Sequence, residues 1–252
     1  MAATQCSLIL IAYAPALTGH DRRPLAIVHG VEHALPGLRL EWTSSEKEDL
    51  IALRDRDAWI EANRTNGGLP FLSNDDETSL VTVAGWENPN GLAAGSPPHF
   101  EVHVDLPLDE SGIAAAADVL EAVGASARAF WGRVLPEGVA VTMAQQFRHP
   151  GDKHHVPPKG LPSLKLPRDI PAPEIPHYLG WLNYWSAATA QAIRFPDPDR
   201  DADLLSRSRR TATGGWVVML TDEPLDLDDP AHLDALKRAY ERFPEIGGRT
   251  AP

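Results

Sequence analysis

Residues 214–249 read GGWVVMLTDEPLDLDDPAHLDALKRAYERFPEIGGR, and this stretch decides the fold. Trp216 to Leu220 is a continuous apolar run of the kind found in strands that are buried on both faces. Asp229 and Pro230 then mark the start of a helix, because aspartate accepts backbone N–H bonds and proline loses none at the first helical position. The stretch predicts a strand, a loop and a helix that packs on the sheet.

The predicted helix has one apolar face and one charged face. The apolar residues recur at helical spacing, and they are Leu233, Leu236, Tyr240 and Phe243. Pro244 ends the helix, because proline cannot donate the next backbone hydrogen bond. The apolar face predicts contact with the core of an α+β protein.

Five carboxylates lie between the strand and the helix, with no Lys or Arg from Thr211 to Ala235. They are Asp222, Glu223, Asp226, Asp228 and Asp229. Helix capping accounts for Asp229, and it is also an available explanation for Asp228. The remaining charges repel one another, and a basic partner would neutralise them and be steered towards them.

The sequence therefore predicts a partner-binding surface on this loop. Its contact residues are Asp222, Glu223, Asp226 and Asp228. A second acidic patch is the second choice for such a surface, and its residues are Glu46, Glu48 and Asp49.

Apolar patterns elsewhere predict an α+β fold, with mixed or antiparallel sheets packed by a few helices. Strands are expected at residues 7–13, 38–42, 80–86, 100–106 and 139–147. Helices are expected at residues 21–35, 111–132 and 187–193. Residues 148–176 carry eight prolines and predict a long, stiff connection. This organisation indicates an N-terminal lobe (1–147), a linker (148–176) and a C-terminal lobe (177–252), or one continuous domain.

Composition limits the classes of function. The formal net charge of −12 argues against nucleic acid or an anionic membrane as a partner. Cys6 is the single cysteine, so no internal disulfide can form, and a reducing, cytoplasmic location is expected. Because Cys6 opens a predicted core strand, it is a poor candidate for a nucleophile. No apolar run approaches the ~20 residues needed to span a bilayer.

His29, Glu32 and His33 form an H-x-x-E-H pattern, which in inverted zinc peptidases provides two zinc ligands and a general base. On a helical wheel both histidines lie away from the apolar stripe of the predicted helix. No companion motif supplies a third ligand. A solvated helix face is the simpler interpretation, and a zinc hydrolase is kept as an alternative.

Two further groups have simpler explanations. Asp152, His154 and His155, near His149, have side chains that can bind a metal ion, but they lie in a proline-rich loop where weak clusters of surface histidines are common. Trp181 and Trp185 are interpreted as core residues rather than as a stacking platform for bases. No P-loop, dinucleotide fingerprint or G-x-S-x-G motif occurs, so neither a catalytic site nor a cofactor is expected.

The C-terminal third resembles two families. The resemblance is carried by residues 180–186 (GWLNYWS), 215–221 (GWVVMLT), 224–226 (PLD) and 239–249 (AYERFPEIGGR). The whole chain resembles an uncharacterised family of myxobacterial proteins. The C-terminal part is similar to the immunity protein 52 family of bacterial polymorphic-toxin systems.

The second resemblance implies a protein that neutralises a toxin carrying a nuclease domain. Families of this kind are defined by fold-stabilising residues, so the resemblance transfers no active site. It implies a non-enzymatic immunity protein that forms a complex with a cognate toxin. The alternatives are the zinc hydrolase described above and a regulatory or scaffold module.

Overall fold

The computed structural model describes residues 7–45, 49–64, 68–93, 95–151 and 154–249. Cys6, Glu46, Glu48 and Asp152 lie outside the described residues. In the described part, every strand belongs to a single ten-stranded sheet and every strand pair is antiparallel, so the predicted α+β class is confirmed.

The sheet order is β3-β2-β4-β5-β6-β1-β7-β8-β10-β9. The strands are β1 (Ser7–Pro15), β2 (Trp42–Ser44), β3 (Leu50–Ala52), β4 (Leu69–Ser73), β5 (Thr82–Asn88), β6 (His99–Pro107), β7 (Trp131–Pro136), β8 (Leu182–Trp185), β9 (Ser208–Arg210) and β10 (Trp216–Met219). Pairing of β7 with β8 makes the sheet continuous between the N-terminal and C-terminal parts of the chain.

Helices cover the sheet on both faces. They are α1 (Arg23–Ala34), α2 (Arg56–Ala62), α3 (Glu110–Ala127), α4 (Glu137–Ala144), α5 (Ala187–Ala192), α6 (Ala202–Ser206) and α7 (Pro230–Arg242). Helices α1 and α3 pack together, and α3 lies against the central strands. On the opposite face, Phe243 at the end of α7 packs edge-on against Trp185 of β8.

Residues 214–249 fold into the predicted strand, loop and helix. The strand is β10, and the helix is α7, where the Asp229 side chain accepts a hydrogen bond from the Ala231 N–H (2.7 Å) and Pro230 is the first helical residue. Leu236 and Tyr240 are buried, as the apolar stripe required. This agreement follows because caps and periodicity act locally.

Three predicted elements are wrong. Residues 139–144 of the predicted strand at 139–147 lie in helix α4, and the predicted strand at 38–42 is displaced to β2. The helix predicted to end at residue 132 stops at Ala127, because Arg128 adopts a left-handed conformation (φ 54°), and Trp131 opens β7.

The proline-rich segment packs along the body of the protein. Leu161, Leu164 and Ile170 are buried, and the Pro173 carbonyl accepts a hydrogen bond from the Trp131 indole N–H (3.1 Å). Lys165 donates its backbone N–H to the Gly247 carbonyl (2.9 Å). The segment thus joins the sheet to the residues that follow α7. Among the described residues, no helix has the length and apolar character to cross a bilayer.

Candidate functional site

The acidic loop, residues 221–229, connects β10 to α7, and buried residues anchor it to the core. Leu225 and Leu227 are buried, whereas the intervening Asp226 and the following Asp228 are exposed. The Trp181 indole N–H donates to the Thr221 carbonyl (2.8 Å) at the start of the loop. Alternating buried and exposed residues therefore hold the carboxylates on the surface from a fixed backbone.

Hydrogen bonds within the loop restrict it further. The Asp228 N–H donates to the Asp226 carboxylate (2.8 Å), and the Asp226 N–H donates to Nδ1 of His232 (3.1 Å). The Thr221 hydroxyl donates to the Glu223 carbonyl (2.7 Å). These bonds fix the backbone of the loop and leave the carboxylates of Asp222 and Glu223 exposed.

Bases from other parts of the chain approach the loop, although none is near it in the sequence. Nζ of Lys159 lies 2.6 Å from Oδ1 of Asp228, and this ion pair lowers the pKa of the Asp228 carboxyl. Asp222 and Glu223 line an open hollow together with Arg207 and Arg238. Neither carboxylate forms an ion pair with another described residue. The expectation of a loop without nearby bases is therefore wrong for Asp228.

An apolar groove borders the same loop on the side of α4. The groove has a volume of about 720 Å³, and its lining includes Val139, Val141, Pro224, Leu225 and Asp226. Val141 is 62% exposed, which is high for a valine. This groove could not be predicted from the sequence, because the residues of α4 were expected to form a strand. The arrangement offers a partner apolar area and negative charge side by side.

The second predicted patch is only partly described, since Glu46 and Glu48 lie outside the described residues. Asp49 is exposed just before β3, and its backbone N–H donates to the Ser45 hydroxyl (3.1 Å). The Ser45 N–H donates in return to the Asp49 carbonyl (2.9 Å). Asp49 is therefore hydrogen-bonded to Ser45, the residue that follows β2.

Of the H-x-x-E-H residues, His29 and Glu32 link helices α1 and α2. Glu32 forms a short ion pair with Arg56 and accepts a hydrogen bond from the Leu40 N–H (2.9 Å). Nε2 of His29 lies 3.0 Å from Oδ2 of Asp57, and His33 is exposed. A general base must be free to accept a proton. In this structure Glu32 is instead held by a guanidinium.

The histidines near residue 150 and the two tryptophans also have defined places. The His155 imidazole bonds to the Gln146 carbonyl (3.2 Å). In the described ranges, no three His, Cys, Asp or Glu side chains are grouped as metal ligands would be. Trp181 and Trp185 are buried, which confirms that they belong to the core.

A second group of polar side chains lies on the sheet face beneath the proline-rich segment. Glu101 Oε1 bonds to Nε2 of His99 (2.7 Å), and Nε2 of His103 lies 3.6 Å from Glu101 Oε2, which is ion-pair rather than hydrogen-bond distance. Burial alone would raise the pKa of Glu101, but His103, His99 and Asn88 hold it well below its usual range. This group could have been predicted from the sequence. His99, Glu101 and His103 alternate along a predicted strand, so their side chains lie on the same face of the sheet.

Tyr13, Arg133 and His177 extend the group towards the proline-rich segment. The Arg133 guanidinium lies 3.9 Å from the centre of the Tyr178 ring, and the His177 ring packs against Tyr13 and Trp131. Burial lowers the pKa of His177 to about 3, so its imidazole is neutral, and it bonds to the Leu92 carbonyl (3.3 Å). These contacts attach His177 and Tyr178, which directly follow the proline-rich segment, to the sheet.

Comparisons with known proteins give a fold relationship and a family. The chain is similar to a solved structure named Pseudomonas aeruginosa T6SS protein PA0821, with 15% sequence identity and a TM-score of 0.57 over 96% of this chain and 73% of that chain. Identity at this level shows a shared fold alone. No curated protein matches the sequence.

The family assignment rests on nearly the whole chain. The sequence resemblance indicated an uncharacterised family, and the likeness to immunity protein 52 stays a prediction. The model of a family described as "Domain of unknown function (DUF5953)" matches residues 19–251. The chain belongs to this family.

Proposed function

We propose that the chain is a non-enzymatic immunity protein that binds a cognate polymorphic toxin, a nuclease, and blocks its substrate cleft stoichiometrically. The observation that carries the proposal is the anchored acidic loop. Its carboxylates at Asp222, Glu223, Asp226 and Asp228 are exposed, and an apolar groove adjoins them. The complex would form in the cytoplasm of the cell that makes the protein.

The chemistry of the proposed complex follows from the needs of a nuclease. A nuclease must present positive charge to phosphates. Fixed carboxylates can occupy the same cleft in place of the phosphates and can accelerate the encounter by steering. Burial of the groove, including the exposed Val141, would supply the apolar part of the interface, which is typically surrounded by a polar rim.

Two observations support a role in competition between bacteria. The sequence predicts a likeness of the C-terminal part to immunity protein 52, and the similar solved structure is named as a T6SS protein. The fold likeness does not specify a partner, so the toxin itself must be identified by experiment. A toxin gene next to the gene of this protein is the first candidate.

The decisive experiment is survival of cells that express the adjacent toxin domain with and without this protein, followed by co-purification. We expect rescue and a one-to-one complex. Absence of both rescue and complex would reject the immunity proposal for that pair.

Charge reversal then tests the interface. The double variant Asp222→Lys/Glu223→Lys should slow association at least tenfold at low salt, because it removes steering. The matched control is Asp75→Lys/Glu241→Lys, which changes net charge equally at exposed carboxylates outside ion pairs of the described chain. Equal rates for the two double variants would place the interface elsewhere.

A further inference from the structure

Four arginines line a small hollow between α6 and α7. They are Arg200, Arg207, Arg238 and Arg242. The hollow has a volume of about 190 Å³ and is completed by Asp203 and apolar side chains such as Leu220. It therefore has room for several water molecules or for one small anionic group.

Only two of these arginines are neutralised by carboxylates of the described chain. Arg242 makes a two-pronged ion pair with Asp201, with N–O distances of 2.6 and 2.9 Å. Arg207 pairs with Asp203 at 2.7 Å. Arg200 and Arg238 are exposed and form no ion pair with a described residue. The hollow thus retains two uncompensated positive charges in a protein of formal net charge −12.

A buried donor in the same lining also lacks an acceptor. Nε of Arg207 is buried and has no hydrogen-bond partner among the described residues. An unsatisfied buried donor is costly, and the cost is larger when the group is charged. Because this Nε is shielded from solvent, it does not face the hollow, and an oxyanion there would instead neutralise the exposed guanidinium groups of Arg200 and Arg238.

We propose that this hollow binds a phosphate group, either as inorganic phosphate or as the phosphate of a small ester. Two free guanidinium groups match the charge of a dianion, and the planar guanidinium fork matches the spacing of phosphate oxygens. Asp222 and Glu223 line the adjoining hollow, which shares Arg207 and Arg238 with this one, so their negative charge opposes the anion and lowers its affinity. The phosphate proposal does not rest on the proposed toxin binding.

The test is a titration of the full chain with inorganic phosphate by isothermal calorimetry, with sodium chloride adjusted to keep the ionic strength constant. We expect saturable binding by the native protein. The variant Arg200→Gln/Arg238→Gln should bind at least tenfold more weakly. It should fold normally, as circular dichroism can verify, because both side chains are exposed and unpaired in the described structure.

The control variant is Arg210→Gln, which removes an exposed arginine on β9 that does not line the hollow. It should bind phosphate as the native protein does. A parallel titration with glycerol 3-phosphate distinguishes the sources: tighter binding than inorganic phosphate indicates an ester, and equal or weaker binding indicates free phosphate. Absence of saturable binding of both anions, or equal affinity in the Arg200→Gln/Arg238→Gln variant, would overturn the proposal.

Discussion

Lys159 and Asp228, which are 69 positions apart in the sequence, form an ion pair with an N–O distance of 2.6 Å. The pair connects the proline-rich segment to the acidic loop. Because Lys159 partly neutralises Asp228, a basic partner that approaches the loop must compete with a cation of the same chain. The free charge of the loop is therefore lower than its sequence indicates.

Removal of the Lys159 ammonium should strengthen the attraction between the acidic loop and a basic partner. We predict that Lys159→Ala increases the association rate with a basic toxin several-fold at low ionic strength, because steering depends on the net field of the surface. The rate should be measured by stopped-flow mixing over a range of salt concentrations. The difference should vanish at high salt, where charges on the surface are screened.

The matching control is Lys237→Ala, which removes one positive charge from α7. An equal acceleration by both variants would mean that total charge, rather than the pair with Asp228, sets the rate.

The buried ion pair between Asp201 and Arg242 should be important for stability. The Asp201 side chain is fully buried, and Asp201→Asn would leave the Arg242 guanidinium without its counter-charge. We predict that this variant lowers the free energy of unfolding by about 3 kcal/mol, measured by urea denaturation. Asp203→Asn is the control, because Asp203 is exposed and loss of its pair with the half-buried Arg207 should cost at most about 1 kcal/mol. Similar losses in the two variants would contradict the importance of burial.

Stability should depend on pH through His177. Burial lowers the folded-state pKa to about 3, whereas the unfolded chain has a pKa near ~6.5. Between these values the unfolded chain binds the additional proton, so the free energy of unfolding rises with pH and the contribution is complete above ~6.5. His177→Gln should flatten the rise between pH 4.5 and 6.5 by up to about 1.4 kcal/mol per pH unit.

Urea denaturation at several pH values measures this slope. The absolute stability of the variant will also fall, since the ring contacts with Tyr13 and Trp131 are lost. The prediction concerns only the slope of the free energy of unfolding against pH. An unchanged slope would show that another group titrates.

Two helical glycines should respond oppositely to alanine. A Cβ at Gly124 of α3 would lie 2.7 Å from the Tyr184 ring, whereas one at Gly138 of α4 would meet nothing within 4 Å. We predict that Gly124→Ala destabilises the protein by about 1–3 kcal/mol through overpacking, which exceeds its gain in helix propensity. Gly138→Ala should stabilise it by up to about 1 kcal/mol. Thermal unfolding of both variants tests this contrast.

The sequence predicted those elements whose signals are local. Asp229 and Pro230 define the start of α7, and the apolar runs of β1, β5 and β6 define strands. The end of α3 was missed because Arg128 takes the left-handed conformation that glycine usually marks. Helix α4 was missed because its Val- and Thr-containing sequence favours strands, and tertiary packing of Met143 outweighs that preference.

Only the carboxylates of the candidate site could be predicted from the sequence. The carboxylates of the acidic loop lie within eight positions of one another, and the exposure of Asp226 and Asp228 follows from alternation with Leu225 and Leu227. Lys159, Arg207 and Val141 come from distant segments, so only the fold could bring them to the loop.

The position of β1 has a consequence for synthesis on the ribosome. This strand lies between β6 and β7, so its first partner begins at residue 99, although β1 itself ends at Pro15. At about 5–20 residues per second, translation of the intervening chain takes roughly 4–17 s. Throughout this interval Leu8 and Leu10 have no sheet to join. Nascent chains that stall before β6 therefore expose an unpaired apolar strand, which makes them targets for chaperones and prone to aggregate.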